Sequence, residues 1–219
     1  MLKYTKRSVY FIKKESRMSS KGDLTRQRII EKSMQLFSVK GYFNTSIADI
    51  VKETGLTKGG LYGHFRNKEE IWYAVYHECV RIWKNVVFHD LKDISDPLER
   101  LNRLTENSLK NYLGAGVFEG GCLFFNSLVD LAGQSPTMSN YVLEGFKGFT
   151  ELLRRWLAEA HQQGLLQDGL DHRGIADFIV VSLNGAAPLY AASQDPAVWQ
   201  HTLSQLHFYI RSLRNPAKI

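Results

Sequence analysis

A chain of 219 residues that is 44% hydrophobic and 23% charged can bury one sizeable core or two smaller ones, and its composition is that of an ordinary globular protein. The formal net charge of +6 is segregated: residues 1–17 carry +5, residues 18–68 another +5, and residues 69–219 carry −4, so attraction for a polyanion belongs to the first third. Two cysteines exclude a disulfide framework and have no metal-ligand spacing; no apolar run is expected to reach the ~18 residues of a membrane span, and the basic N-terminus lacks a secretory apolar region, which places the chain in the cytosol by default.

Residues 1–22 read as a basic arm, disordered before a binding partner is met, that could follow a phosphate backbone or enter a minor groove. Translation from Met18 would instead give a short natural lead. A first helix is expected over about 25–40, with Ile30, Met34 and Phe37 at helical spacing and Gly41 as its stop. Then follows TSIADIVKETGLTKGGLYGHFRNKEEI, residues 45–71. Thr45 or Ser46 offers an N-cap to a helix carrying Ile47, Ile50 and Val51, which Gly55 closes. Thr57 caps a second short helix with Leu61 and Phe65 inward and Lys58, Gly59, Gly60, Tyr62 and His64 outward. Two adjacent glycines cost such a helix roughly 1 kcal/mol each against alanine. A bare patch ringed by lysine, threonine, tyrosine and histidine suits close approach of a surface presenting phosphates and base edges. The geometry expected is a helix-turn-helix with its second helix in a DNA major groove.

A fourth, long helix begins near Lys68, with Ile71, Val75, Cys79, Ile82 and Val86 on one stripe, and would connect this head to the remainder. Asp96-Pro97 opens a fifth helix to about residue 113. Gly114, Gly116, Gly120 and Gly121 then break the chain without the spacing or preceding strand of a nucleotide fingerprint. A sixth helix holds Leu123, Phe124, Leu128, Val129 and Leu131. Ser135-Pro136 starts the seventh, Asp171 caps the eighth with Pro188 as a kink, and Asp195-Pro196 opens the ninth. No strand is convincing, so the fold class is all-α.

The motifs Ala48-Asp49-Ile50, Gly55-Leu56-Thr57-Lys58-Gly59-Gly60-Leu61-Tyr62, His64-Phe65 and Lys68-Glu69-Glu70 resemble the DNA-binding domain of the tetracycline-repressor (TetR) family. Gly63 departs from it, since many relatives carry a larger polar residue there. The resemblance implies a three-helix helix-turn-helix domain over 23–68, a six-helix effector-binding and dimerisation domain over 69–213, and a short tail over 214–219. It assigns DNA contact to Thr45, Thr57, Lys58, Gly59, Gly60, Tyr62, His64 and Lys68. Gly121-Cys122-Leu123-Phe124-Phe125-Asn126 resembles a Gly-Cys-Leu-x-x-Asn signature of one branch of the family's bodies, whose ligands are diverse.

An effector pocket is expected among the fifth to eighth helices, with Trp83, Phe88, Phe118, Cys122, Phe125, Asn126 and Phe149 as lining. Aromatic content favours an apolar or aromatic effector, and Asn126 or His89 could anchor it. The last two helices are apolar beyond one core-facing stripe. In the family they pair with a two-fold mate, which points to Phe178, Val181, Leu183, Leu203, Leu206 and Ile210 as a homodimer interface. The function implied is a ligand-responsive transcriptional regulator, a repressor released from a palindromic double-stranded DNA operator. Two other readings stand beside it: a cysteine-based electrophile sensor using Cys122, at a helix start but beside Glu119, and a protein-interaction adaptor binding DNA without sequence preference. No cofactor, metal or membrane is called for. The seven histidines form no H-E-x-x-H and no G-x-S-x-G appears, so an enzyme is not expected.

Overall fold

A computed structural model describes residues 20–118 and 120–218. Most of the basic arm foreseen over residues 1–22 lies outside them. The described part contains nine α-helices: α1 (Lys21–Lys40), α2 (Ile47–Thr54), α3 (Lys58–Tyr62), α4 (Lys68–Val87), α5 (Pro97–Glu106), α6 (Leu123–Leu131), α7 (Pro136–Gln162), α8 (His172–Ser193) and α9 (Ala197–Ser212). A π-helical segment (Asn107–Leu113) continues α5, and a short 3-10 turn (Pro216–Lys218) ends the described chain.

Local chemistry sets most of the starts. α1 begins four residues before the expected position because Ser20 caps it: the Asp23 N–H donates to Ser20 Oγ at 3.1 Å and the Ser20 N–H returns to Asp23 Oδ2 at 3.0 Å. Ser46, not Thr45, caps α2, in the same reciprocal arrangement with Asp49. Gly55 closes α2 in the left-handed conformation, φ +66°. Thr57, Asn67, Asp96 and Asp171 cap α3, α4, α5 and α8.

The head buries Ile29, Ile30, Met34, Phe37, Ile50, Leu61, Phe65, Ile71, Trp72 and Val75 in one core. Trp72 is among the largest fully buried side chains. Lys68 ties the start of α4 to the turn before α2. Its Nζ donates to the carbonyls of Tyr42 at 2.8 Å and Thr45 at 2.9 Å while lying 4.2 Å above the Tyr42 ring. Burial draws its pKa down, opposed by the Asp130 carboxylate.

Asp130, at the end of α6, joins head to body. Its Oδ2 accepts the Tyr42 N–H at 2.7 Å. A β-carbon on Gly41, at φ +80°, would stand 2.9 Å from the same oxygen. At the other end of α6's approach, the Gly120 N–H donates to Ser38 Oγ at 3.2 Å, and a β-carbon on Gly120 would run into the Ser38 carbonyl. Here glycine is required by close backbone approach.

In the body, α8 is long and apolar enough in composition to cross a membrane, contrary to the expectation that no run would be. The fold accounts for this differently. Ile175, Ala176, Ile179, Val180, Leu183, Ala186 and Ala187 lie in the core, and a second apolar stripe lies opposite. Residues just beyond α9 are tied back to the body. The Asn215 N–H donates to the Leu165 carbonyl at 2.9 Å, and Arg214 pairs with Asp96 at 2.6 Å and Glu99 at 2.9 Å. Burial opposes the Asp96 carboxylate, but Arg214 and the N–H groups of Leu98 and Glu99 outweigh it and hold its pKa below the ordinary value.

Candidate DNA-reading helix and effector cavity

α3 presents an exposed face of Thr57, Lys58, Gly59, Gly60, Tyr62 and Gly63, with His64 half-buried at its end. Thr57 Oγ1 accepts the Gly60 N–H at 3.0 Å, which fixes the helix start. No heavy atom lies within 4 Å of a β-carbon built on Gly59, so nothing inside the chain demands glycine there. A bare position without an internal reason is what an external surface pressing on the helix requires. α1's first turn abuts this face, since a β-carbon on Gly22 would lie 4.0 Å from His64 Cε1; Arg26 lies 4.7 Å over the Phe65 ring.

Two residues assigned to DNA contact are placed otherwise. Thr45 is fully buried and its hydroxyl donates to the Gly41 carbonyl at 2.7 Å. Lys68 directs its ammonium at the two carbonyls described above. Both hold the turn between α1 and α2.

The body encloses a cavity of about 570 Å³, within the range of small-molecule sites. α4, the π segment, the start of α6, α7 and α8 line it. Its wall is an edge-to-face aromatic network: Trp83 meets Phe88 at 5.3 Å, Phe149 at 5.1 Å and Phe124 at 6.2 Å between centroids, and Tyr76 meets Phe124 at 5.4 Å and Tyr141 at 5.2 Å. Gly145 and Gly148 keep α7 from filling the space, and a β-carbon on Gly145 would stand 2.6 Å from the Tyr76 hydroxyl.

Of the expected lining, Trp83, Phe88, Cys122 and Phe149 face the cavity, while Phe118, Phe125 and Asn126 do not. Phe118 stacks edge-on to Tyr112. Asn126 donates to the Gly120 carbonyl at 2.6 Å, holding the loop rather than a ligand. His89 pairs with Asp90 outside the cavity. The lining that sequence reasoning missed includes Tyr76, Ser108, Tyr112, Tyr141, Asn184 and Arg155. π-helical turns recur at functional sites, and this one carries Ser108, Tyr112 and Leu113 into the cavity wall. The Ser108 hydroxyl is buried without a partner.

Burial pushes the Cys122 thiol up, and the opposing N–H groups of Phe125 and Phe124 and the Tyr112 hydroxyl do not reverse it. Cys79 is raised further by burial. Both sulfurs are therefore held as thiols, the wrong state for attack on an electrophile.

A third feature lies opposite the cavity. Phe178, Val181 and Leu189 are exposed, Val181 by 69%, and recur with the exposed Gly185 and Ala192 at helical spacing along α8; Phe208 is exposed on α9, next to the Tyr209 that stacks on Phe178. Leu203 is half-buried. Leu183, Leu206 and Ile210, expected at an interface, are buried in the chain's own core.

A helix-turn-helix head, a long connecting helix and a helical body enclosing an aromatic cavity define the class of one-chain, DNA-binding, ligand-responsive regulators. Comparison with known proteins agrees. Residues 29–75 match the model for bacterial regulatory proteins of the tetR family, and residues 97–206 match the tetracyclin repressor-like C-terminal domain. The HTH-type transcriptional repressor DhaR of Mycobacterium sp. (strain GP1) is 29% identical over 74% of this chain and 79% of its own length. A TetR transcriptional regulator from Chloroflexus aurantiacus J-10-FL superposes with TM-score 0.83 at 24% identity, covering 90% of this chain and 98% of that one. AibR, solved in complex with isovaleryl coenzyme A and operator DNA, superposes with TM-score 0.63 at 20% identity, covering 84% and 98%. The chain belongs to the TetR family of transcriptional regulators.

Proposed function

We propose that the chain is a homodimeric repressor that leaves its operator when a small apolar or aromatic molecule enters the body cavity. The observation that carries the reading is the pairing of an outward, sterically bare recognition helix with an aromatic cavity bounded by that head's own connector, α4. The head is taken as residues 23–68, with Thr57, Lys58, Gly59, Gly60, Tyr62 and His64 at the duplex. The exposed stripe of Phe178, Val181, Leu189 and Phe208 supports an isologous helical interface. Two heads are needed because half-sites lie about 34–36 Å apart on one face of DNA.

Release requires a ligand with different affinity for the two head positions. Two routes lead from the cavity to the head. One is α4, whose Tyr76, Val80 and Trp83 line the cavity and whose first residue, Lys68, grips the turn before α2. The other is α6, whose first turn carries Phe124 in the cavity wall and whose last turn carries Asp130 bonded to Tyr42. A coupling of about 1–3 kcal/mol through them would weaken operator binding 5–150-fold.

Fluorescence-anisotropy titration against duplexes tiling the DNA beside the chain's own gene, with random duplex as competitor, tests the proposal. A tight, two-fold-symmetric site that survives competition is expected. Binding abolished by random duplex at every salt concentration would instead indicate an adaptor that holds DNA without reading it.

A further inference from the structure

The cavity is not uniformly apolar, and its polar groups gather at one end. α4 and α7 run in the same direction: Tyr141, near the start of α7, stacks against Tyr73, Tyr76 and His77, while Phe149 stacks against Trp83. Arg155, six residues beyond Phe149, therefore lies about two turns further along, level with the end of α4. Lys84 follows Trp83 directly. Asn107 donates to the carbonyls of Val87 at 3.2 Å and His89 at 3.0 Å, which sets the adjacent Ser108 at the same level. Lys84, Arg155 and Ser108 all line the cavity. They are three donors placed toward its α4 C-terminal end.

None of them has an acceptor among the described residues. The Ser108 hydroxyl is buried and unpartnered, a costly arrangement unless something else accepts from it. Lys84 and Arg155 form no ion pair among the described residues, and the carboxylates near them are engaged elsewhere. Glu151 holds Arg154 through both oxygens at 2.8 and 2.7 Å, feeling Arg155 only at longer range. Glu159 pairs with Arg100 at 3.0 Å and Asp90 with His89 at 2.7 Å. Glu144 also lines the cavity, but it sits toward the Tyr141 end, paired with Lys147 at 2.8 Å.

We propose that the effector is an amphipathic organic carboxylate. Its apolar body lies among Trp83, Phe88, Phe124 and Phe149, and its carboxylate is received by Arg155, Lys84 and the Ser108 hydroxyl. This rests on the reading of the cavity as an effector site and names the ligand's chemistry. Guanidinium and ammonium at a half-enclosed mouth suit a carboxylate, and the hydroxyl adds a directed donor at the depth where the apolar body begins. The rim charge would select acids over neutral hydrocarbons, and the aromatic wall would reject small anions lacking a body.

Isothermal titration with 2-naphthoate, its neutral isostere 2-naphthamide, and acetate tests this on the full chain. The acid should bind at least tenfold more tightly than the amide, and acetate should give no heat. Arg155→Gln and Lys84→Gln, both at exposed positions, should each reduce that preference to threefold or less while shifting the amide's affinity less than twofold. Ser108→Ala should lower the acid's affinity more than the amide's, with circular dichroism confirming an unchanged fold. Acid and amide binding the parent equally would overturn the carboxylate assignment and leave the cavity reading standing. A parent preference that both rim variants retain would overturn the assigned receptor groups. Neither naphthyl probe binding at millimolar concentration would overturn the cavity reading and this inference together.

Discussion

Replacing Gly59 by alanine separates what the fold needs from what DNA needs. The added methyl meets no heavy atom within 4 Å, so the chain itself offers no resistance. Alanine is favoured over glycine in a helix interior by roughly 0.8–1.0 kcal/mol. Gly59 lies in the first turn of a five-residue helix, which reduces the gain to about 0.5 kcal/mol and raises Tm by about 1–2 °C for a chain of this length. On DNA the sign reverses. The methyl stands on the exposed face of α3, and losing one close contact with the duplex costs about 1–3 kcal/mol. That is roughly a 5- to 150-fold weaker Kd. Calorimetry and anisotropy on the same preparation measure both effects. Gly60→Ala is the internal comparison, because its β-carbon would press Thr57 Oγ1 at 3.3 Å and should cost stability through the cap as well as affinity. A Gly59→Ala protein that bound its operator as tightly as the parent would refute the placement of this face against DNA.

Phe178→Glu puts a charge into the exposed stripe of α8 and should convert the dimer to monomer in sedimentation, with operator affinity falling more than tenfold; an unchanged dimer would remove this stripe from the interface. Cys122→Ser should leave the effect of an electrophile on operator affinity no different from the parent's, because burial pushes the thiol's pKa up; a response to electrophiles lost on this change would restore the redox reading. Asp130→Ala removes the acceptor of the Tyr42 N–H and should bring the ratio of operator Kd with and without effector toward one, while calorimetric effector affinity changes less than threefold. A ratio equal to the parent's would confine the coupling to α4. The Arg214–Asp96 pair should contribute to acid stability: with the Asp96 pKa depressed in the folded state, its contribution is complete above the ordinary carboxylate range and disappears as pH falls through the depressed value. Arg214→Gln should therefore narrow the Tm difference between pH 6 and pH 2; an identical difference would show that the pair is inert.

Most helix starts were legible because their signals are local, although the Ser20 cap that starts α1 was passed over. Asp96, Asp171 and Thr57 cap within three residues of themselves, and the glycine closing α2 announces its own conformation. The exposed face of α3 was legible for the same reason, whereas Thr45, before α2, and Lys68, opening α4, were not. Those two are turned inward by the Gly41–Tyr42 turn, which depends on Asp130, 88 residues from Tyr42. The cavity was harder to see. Phe118 and Phe149 are indistinguishable as letters; the loop after the π segment sets one edge-on to Tyr112, while the course of α7 beside α4 sets the other against Trp83 in the cavity wall. The π segment is likewise invisible in composition; its first residue, Asn107, reaches the carbonyls of Val87, which ends α4, and His89 just beyond it. In α8 and α9 two apolar stripes lie back to back, so apolar content pointed to an interface but could not tell Leu206, in the core, from Phe208, outside it.

In the mechanism proposed above, two recognition helices carried by a two-fold dimer read two half-sites on one face of the duplex. This is tested most directly by inserting half a helical turn, about 5 base pairs, between the half-sites of the operator. That insertion turns the second half-site to the opposite face. Affinity close to that for random duplex is expected, partly recovered when a full turn is inserted. Binding that ignored the half-turn insertion would contradict it.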